Sequence, residues 1–277
     1  MRSLWIGTGW KMNKTAAEAR QYVATLKALV QMATAGSANL FIVPPFTALA
    51  TAREAIGDWP LLLGAQNMHW APSGAYTGEI SAAMLTDAGV DLVELGHSER
   101  RIGFGETDAD LNRKIKAALS HGLRPLLCVG ENAEERDAGA SAETTVRQLK
   151  LAFAGLAGED IGRCLVAYEP VWAIGEQGVA ATPEHIANVH SQIHKALREL
   201  TPHPVPVLYG GSVNHDNAFS LASEPTVDGL FIGRAAWQPE NFAAIIETVM
   251  SARAAMEAPD VVPVASAGVP HATDSLA

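Results

Sequence analysis

Leu165-Val166-Ala167-Tyr168-Glu169-Pro170 ends an apolar run on a single carboxylate, and the chain then enters a loop bracketed by Pro170 and Gly175 that carries Trp172. A carboxylate delivered by a buried strand and covered by an apolar loop is placed for proton transfer, because exclusion of water makes it a stronger base. Other chemistry-bearing residues also follow apolar runs. Gly9-Trp10-Lys11-Met12-Asn13 brings a cation, and Gly96-His97-Ser98-Glu99-Arg100-Arg101 brings an imidazole and a second carboxylate. Tyr209-Gly210-Gly211-Ser212-Val213-Asn214 and Gly229-Leu230-Phe231-Ile232-Gly233-Arg234 bring turns whose backbone amides an anion can approach. Each has a plainer structural reading: a salt-bridging strand-end glutamate, a solvated lysine, a core histidine, ordinary turn glycines.

The elements that must position these residues are short apolar runs alternating with longer helical stretches. The runs are Leu4 to Thr8, Leu40 to Val43, Leu61 to Ala65, Leu92 to Leu95, Leu126 to Val129, Leu165 to Tyr168, Val207 to Tyr209 and Leu230 to Ile232. Alternation of this kind is the pattern of βα units around a parallel sheet. The count predicts an α/β chain folded as one closed (β/α)8 barrel over residues 1–257. An open doubly wound sheet is the alternative, but no Gly-x-Gly-x-x-Gly fingerprint follows the first run. In a barrel the residues just beyond the strands' carboxyl ends form one ring, so the scattered motifs would converge. Thr182-Pro183-Glu184 reads as an N-cap, a proline at the first helical position and an acidic first turn, opening a helix toward Leu200. A second helix is expected from Thr15 to about Met32, with Ala19, Tyr22, Val23, Leu26 and Leu29 on one apolar face. Residues 258–277, rich in Pro, Ala, Ser and Val, read as a flexible tail.

Composition limits the partners. With 277 residues and 48% hydrophobic content the chain can bury a large single core. Lys+Arg 20 against Asp+Glu 30 gives a net charge of -10, with no basic run, which argues against nucleic acid and anionic membranes. Any anionic ligand must be held locally. No stretch approaches the roughly 18 apolar residues of a membrane span, and the N-terminus does not read as a signal peptide, so a cytoplasmic location is expected. Cys128 and Cys164 sit in apolar runs and read as buried, reduced thiols without chemistry.

Trp10-Lys11-Met12-Asn13, the run from Gly96 to Arg101, the run from Tyr168 to Gly175, and Tyr209-Gly210-Gly211-Ser212 together resemble the triosephosphate isomerase family, over roughly residues 4 to 250. The resemblance implies a TIM barrel and a phosphosugar isomerase working through a cis-enediolate without cofactor or metal. The acid–base roles are those known for the family and come with the resemblance. It makes Glu169 the general base, His97 a neutral electrophile held by the helical turn beginning at Ser98, and Lys11 the charge that stabilises the enediolate oxygen. Glu99 would support Lys11 or His97. Gly211, Ser212 and Gly233 would offer amides to phosphate, with Gly175 joining when a lid from Pro170 to about Thr182 closes. The loop over residues 66–79 is similar to the family's dimer loop and implies a homodimer.

Three positions depart from the family pattern. Gly9 stands where the family carries asparagine, Arg234 stands where it usually has glycine, and Glu176-Gln177-Gly178-Val179-Ala180-Ala181 replaces a shorter lid tip. A missing side chain at Gly9 would leave room beside the carbon distal to phosphate, which an extra hydroxymethyl group would fill. With Gln66-Asn67-Met68-His69-Trp70 and Gly233-Arg234, this resembles the L-erythrulose-1-phosphate isomerase branch of the family. The expected reaction is L-erythrulose 1-phosphate to D-erythrulose 4-phosphate, in erythritol breakdown. Triosephosphate isomerisation is the alternative, and a non-catalytic sugar-phosphate-binding barrel a third reading. Arg234 has three candidate partners: phosphate, Glu176 and solvent.

Overall fold

The computed structural model describes residues 3–175 and 178–257. Eight parallel strands close into a barrel in chain order: β1 (Trp5–Gly9), β2 (Asn39–Val43), β3 (Leu61–Ala65), β4 (Leu92–Leu95), β5 (Arg124–Val129), β6 (Leu165–Tyr168), β7 (Val207–Tyr209) and β8 (Gly229–Ile232). β1 seals the ring, pairing Gly9 with Val43 on one side and Thr8 with Ile232 on the other. The strands match the apolar runs within two residues at either end, because the strand period places alternate side chains in two different apolar environments. Inward residues such as Trp5, Phe41, Leu126, Leu165, Leu208 and Phe231 form a small core inside the barrel. Outward residues such as Ile6, Leu40, Val93, Leu127 and Val166 join the helices in a larger one.

The inner core dictates glycine on β1. The rings of Phe41 and Phe231 stack with centroids 5.5 Å apart. A Cβ on Gly7 would lie 2.1 Å from the Phe41 ring, so the ring occupies the volume a side chain there would need.

Helix ends follow local chemistry. Thr182 caps the helix Pro183–Leu200 through its hydroxyl to the His185 amide, with proline at the first position as expected. Thr15 opens the helix Ala16–Leu29 with a reciprocal capping box to Glu18. That helix is shorter than the sequence suggests. Val30 turns extended and a separate short helix, Met32–Ser37, follows. Ala19, Tyr22, Val23 and Leu26 are buried, but Leu29 is 44% exposed, because it lies at the edge of the stripe in the last turn. Cys128 and Cys164 are buried and unbridged. Residues 258–277, read from sequence as a tail, lie outside the described residues.

Candidate active site

The carboxyl ends of the strands open into a cleft of about 690 Å³. Its lining includes Gly9, Lys11, His97, Glu99, Glu169, Gly175, Gly211, Ser212, Gly233 and Arg234, so every position singled out from sequence meets there.

Glu169 is placed by its backbone. Its amide donates to the Val129 carbonyl at 2.7 Å, and the next residue but one, Val171, donates to Glu131 at 3.0 Å. Gly130 lies so close beneath it that a Cβ would stand 1.8 Å from the Glu169 carbonyl oxygen. Gln148 locks Gly130 in turn, accepting from its amide and donating to its carbonyl, both at 2.9 Å. The Glu169 side chain is 3% exposed; its Oε2 accepts from the Ser98 amide at 3.4 Å, and Oε1 lies 3.7 Å from His97 Nε2.

His97 caps the helix Ser98–Phe104 with its own ring: Nδ1 accepts from the Glu99 amide at 3.2 Å. That bond needs a lone pair on Nδ1, which the neutral ring with hydrogen on Nε2 supplies. The carboxylates pull the other way. Burial works against the imidazolium, but Glu169 and then Glu94 outweigh it, and Lys11 offsets only part, leaving the His97 pKa above the ordinary imidazole value. The neutral ring expected from sequence is therefore the form present above that raised value.

Lys11 adopts a left-handed backbone, φ 54°, a conformation that costs a non-glycine residue roughly 1–3 kcal/mol when it must be imposed by its surroundings. Gln66 helps impose it by donating to the Lys11 carbonyl at 2.7 Å and to that of Val43 at 3.1 Å. The Lys11 ammonium meets Glu99 Oε1 at 2.6 Å. Glu99 thus touches both candidates for its support, Lys11 through its carboxylate and His97 through its amide.

The loop expected to act as a lid begins on a buried carboxylate. Glu131 Oε1 accepts from Tyr168 Oη at 3.0 Å and from Trp172 Nε1 at 2.8 Å, with His185 Nε2 at 3.2 Å. Gly175 has φ 90°, a region open to glycine. The turn after β7 folds Gly211 back against the Tyr209 hydroxyl. Ser212, expected to offer its amide to an anion, lines the cleft. Gly211 is required there, since a Cβ would lie 2.3 Å from Tyr209 Oη. Arg234 lines the cleft; its suggested partner Glu176 lies outside the described residues.

The triosephosphate isomerase family description matches residues 4–249. The chain belongs to the triosephosphate isomerase family. An L-erythrulose-1-phosphate isomerase of Mycolicibacterium smegmatis is 50% identical to this family member over 245 residues, 88% of this chain and 92% of the relative. Proteins of the same name are 46% identical in Mesorhizobium japonicum, over 87% of this chain and 95% of theirs, and in Brucella abortus, over 89% and 96%.

Sequence reasoning missed one charged residue of this isomerase-family cleft. Glu94 points inward from β4, lines the cleft and is 5% exposed. Burial first, together with Glu169 and Glu99 and against His97 and Lys11, pushes its pKa up to about 7. It also borders the space beside Gly9. A Cβ at Gly9 would meet Phe231 Cζ at 3.1 Å and Glu94 Oε2 at 3.9 Å, so a ring and a carboxyl group border that space. The signal was present: a charge inside Leu92-Val93-Glu94-Leu95, a strand buried on both faces, needs a reason to be there. A Glu94 oxygen, a Glu169 oxygen and Cys128 Sγ lie within 4.8 Å of one another. Burial, then Glu169 and Glu94, hold the Cys128 thiol well above its usual range, so it stays a protonated neighbour and a poor metal ligand.

Proposed function

We propose that the chain interconverts L-erythrulose 1-phosphate and D-erythrulose 4-phosphate. The observation that carries the substrate is its likeness, along nearly its whole length, to relatives bearing the name L-erythrulose-1-phosphate isomerase. The convergence of Glu169, His97 and Lys11 in one cleft supports the reaction type. Glu169 takes the proton from C3, next to the C2 carbonyl, while His97 Nε2 donates to the carbonyl oxygen and Lys11 stabilises the developing charge. His97 then takes the proton of the C3 hydroxyl, and Glu169 returns its proton to C2. The carbonyl now stands at C3, and no atom has been gained or lost. Phosphate is held by the Gly211 and Gly233 amides with Ser212 and Arg234 beside them, and Gly175 joins on closure. The lid keeps water from an enediolate that would otherwise expel its phosphate. Triosephosphate isomerisation is the second reading, favoured by the family match itself.

A homodimer belongs to the same proposal. In loop 66–79 the His69 ring stacks on Trp70 and lies tilted against Tyr76, with ring centroids 4.1 Å from each, and the loop lines a groove of about 310 Å³ with Phe104. Met12 is 95% exposed, and Ile102 and Phe104 73% each, which suits a covered face better than a wetted one. Among the described residues no helix is long and apolar enough to cross a membrane. The proposed location is the cytoplasm, since a phosphorylated sugar is confined by its charge to the compartment that made it.

The test is turnover in heavy water followed by NMR. L-erythrulose 1-phosphate should give D-erythrulose 4-phosphate carrying solvent deuterium on the carbon that receives the proton. Binding without product or exchange, with dihydroxyacetone phosphate equally inert, would leave only the non-catalytic barrel.

A further inference from the structure

We propose that Glu94 selects the sugar: its carboxyl group hydrogen-bonds the terminal hydroxyl of a four-carbon ketose phosphate, the group that a three-carbon substrate lacks. The inference rests on the tetrulose reading above and names the residue that enforces it. Glu94 is nine-tenths buried, faces the cleft, and has no hydrogen-bond partner among the described residues. Its oxygens are not among the fully enclosed polar atoms that lack a partner, so they open onto the cleft, and a ligand hydroxyl that takes the place of water there is read by a carboxyl group held in a confined, low-dielectric space.

Position supports this reading. Glu94 Oε2 lies 3.9 Å from where a Cβ of residue 9 would be, and Phe231 walls the same space at 3.1 Å. The apolar ring limits what can enter; the carboxyl group decides what is held. Reach fits as well, since oxygens of Glu94 and Glu169 lie within 4.8 Å of each other. With C3 about 3–3.5 Å from the base, a hydroxyl two bonds further on can stand at hydrogen-bonding distance, about 2.5–3.0 Å, from Glu94. Near neutral pH the group is partly protonated and can donate to the hydroxyl or accept from it.

A purely electrostatic role, in which Glu94 only tunes His97, would affect every substrate alike. The discriminating experiment measures kcat/KM for L-erythrulose 1-phosphate, for 3-hydroxy-2-oxobutyl phosphate, which has methyl in place of hydroxymethyl, and for dihydroxyacetone phosphate. It compares the full chain with Glu94→Gln and Glu94→Leu. The unaltered protein should prefer hydroxymethyl over methyl on the order of a hundredfold, with Glu94→Gln, which keeps hydrogen-bonding atoms, within about tenfold of that preference. Glu94→Leu should bring the two four-carbon substrates within about threefold. Equal use of methyl and hydroxymethyl by the unaltered protein, or a preference that survives in Glu94→Leu, overturns the assignment while leaving the tetrulose reading intact. Turnover of dihydroxyacetone phosphate with neither four-carbon compound overturns both. Should Glu94→Leu fail to fold, the methyl analogue on the unaltered protein still decides.

Discussion

Replacing Glu94 by glutamine should make the protein more stable at alkaline pH relative to acid pH, and the size follows from the site. Glu94 is buried among Glu169, His97 and Cys128, and its pKa stands at about 7 in the folded chain against 4.5 for an ordinary glutamate. Below about pH 4.5 the carboxyl is protonated whether folded or not. Between those values the folded state holds the proton more tightly, so stability falls as pH rises, by about 1.4 kcal/mol per unit of pKa difference and about 3 kcal/mol in all. Glutamine does not titrate. The difference in unfolding free energy, variant minus unaltered protein, should therefore rise by about 3 kcal/mol from pH 4.5 to pH 9. Loss of the Glu94 charge also lowers the His97 pKa, which works in the opposite sense while the imidazole is charged, so the upper reading belongs at pH 9, where the ring is neutral in both proteins. Urea unfolding followed by circular dichroism at pH 5, 7 and 9 measures it. A constant offset would include any cost of the buried amide, but a difference that does not change with pH would refute the raised pKa.

Three further substitutions probe the cleft. Glu169→Gln should lower kcat by several orders of magnitude with a modest change in KM, and equal activity in a steady-state assay would remove Glu169 as the base. Gly9→Asn brings a Cβ to 3.1 Å from Phe231 and an amide toward Glu94, and should cost the four-carbon substrate roughly 1–3 kcal/mol in kcat/KM; an unchanged preference between tetrulose and triose would reject the steric argument. Gly130→Ala forces a Cβ against the Glu169 carbonyl oxygen, and a displacement of the base of even 1 Å should reduce kcat on the order of a hundredfold. Retained kcat in a folded Gly130→Ala protein would mean that the backbone beneath Glu169 is not what aims it.

The barrel was legible because its strands alternate between two apolar environments, and no competing pattern yields eight such runs with helices between. The ring of chemistry was legible for the same reason: Lys11, His97 and Glu169 each sit just beyond an apolar run, where a barrel collects them. Helix ends with hydroxyl caps, at Thr15 and Thr182, were marked by local hydrogen bonding. What escaped depends on contacts between distant segments. Glu94 was hidden inside a run scanned for hydrophobicity, and only strand parity points it inward. Gly130 and Glu131 lie on the loop after β5 and Gln148 on the helix Ser141–Ala152, so their hold on Glu169 and the loop that follows it comes from the barrel's closure and from no local pattern. The demand for glycine at position 211 was equally hidden, because nothing in its own turn shows that the Tyr209 hydroxyl lies against it.

The central claim is that this cleft isomerises a four-carbon ketose phosphate, and side-by-side kcat/KM values for L-erythrulose 1-phosphate and dihydroxyacetone phosphate test it most directly. The structure and its relatives lead to a preference for the tetrulose on the order of a hundredfold or more, the worth of one hydrogen bond to a buried carboxyl group. Turnover of dihydroxyacetone phosphate orders of magnitude above that of the tetrulose would contradict it and return the protein to the triose reaction.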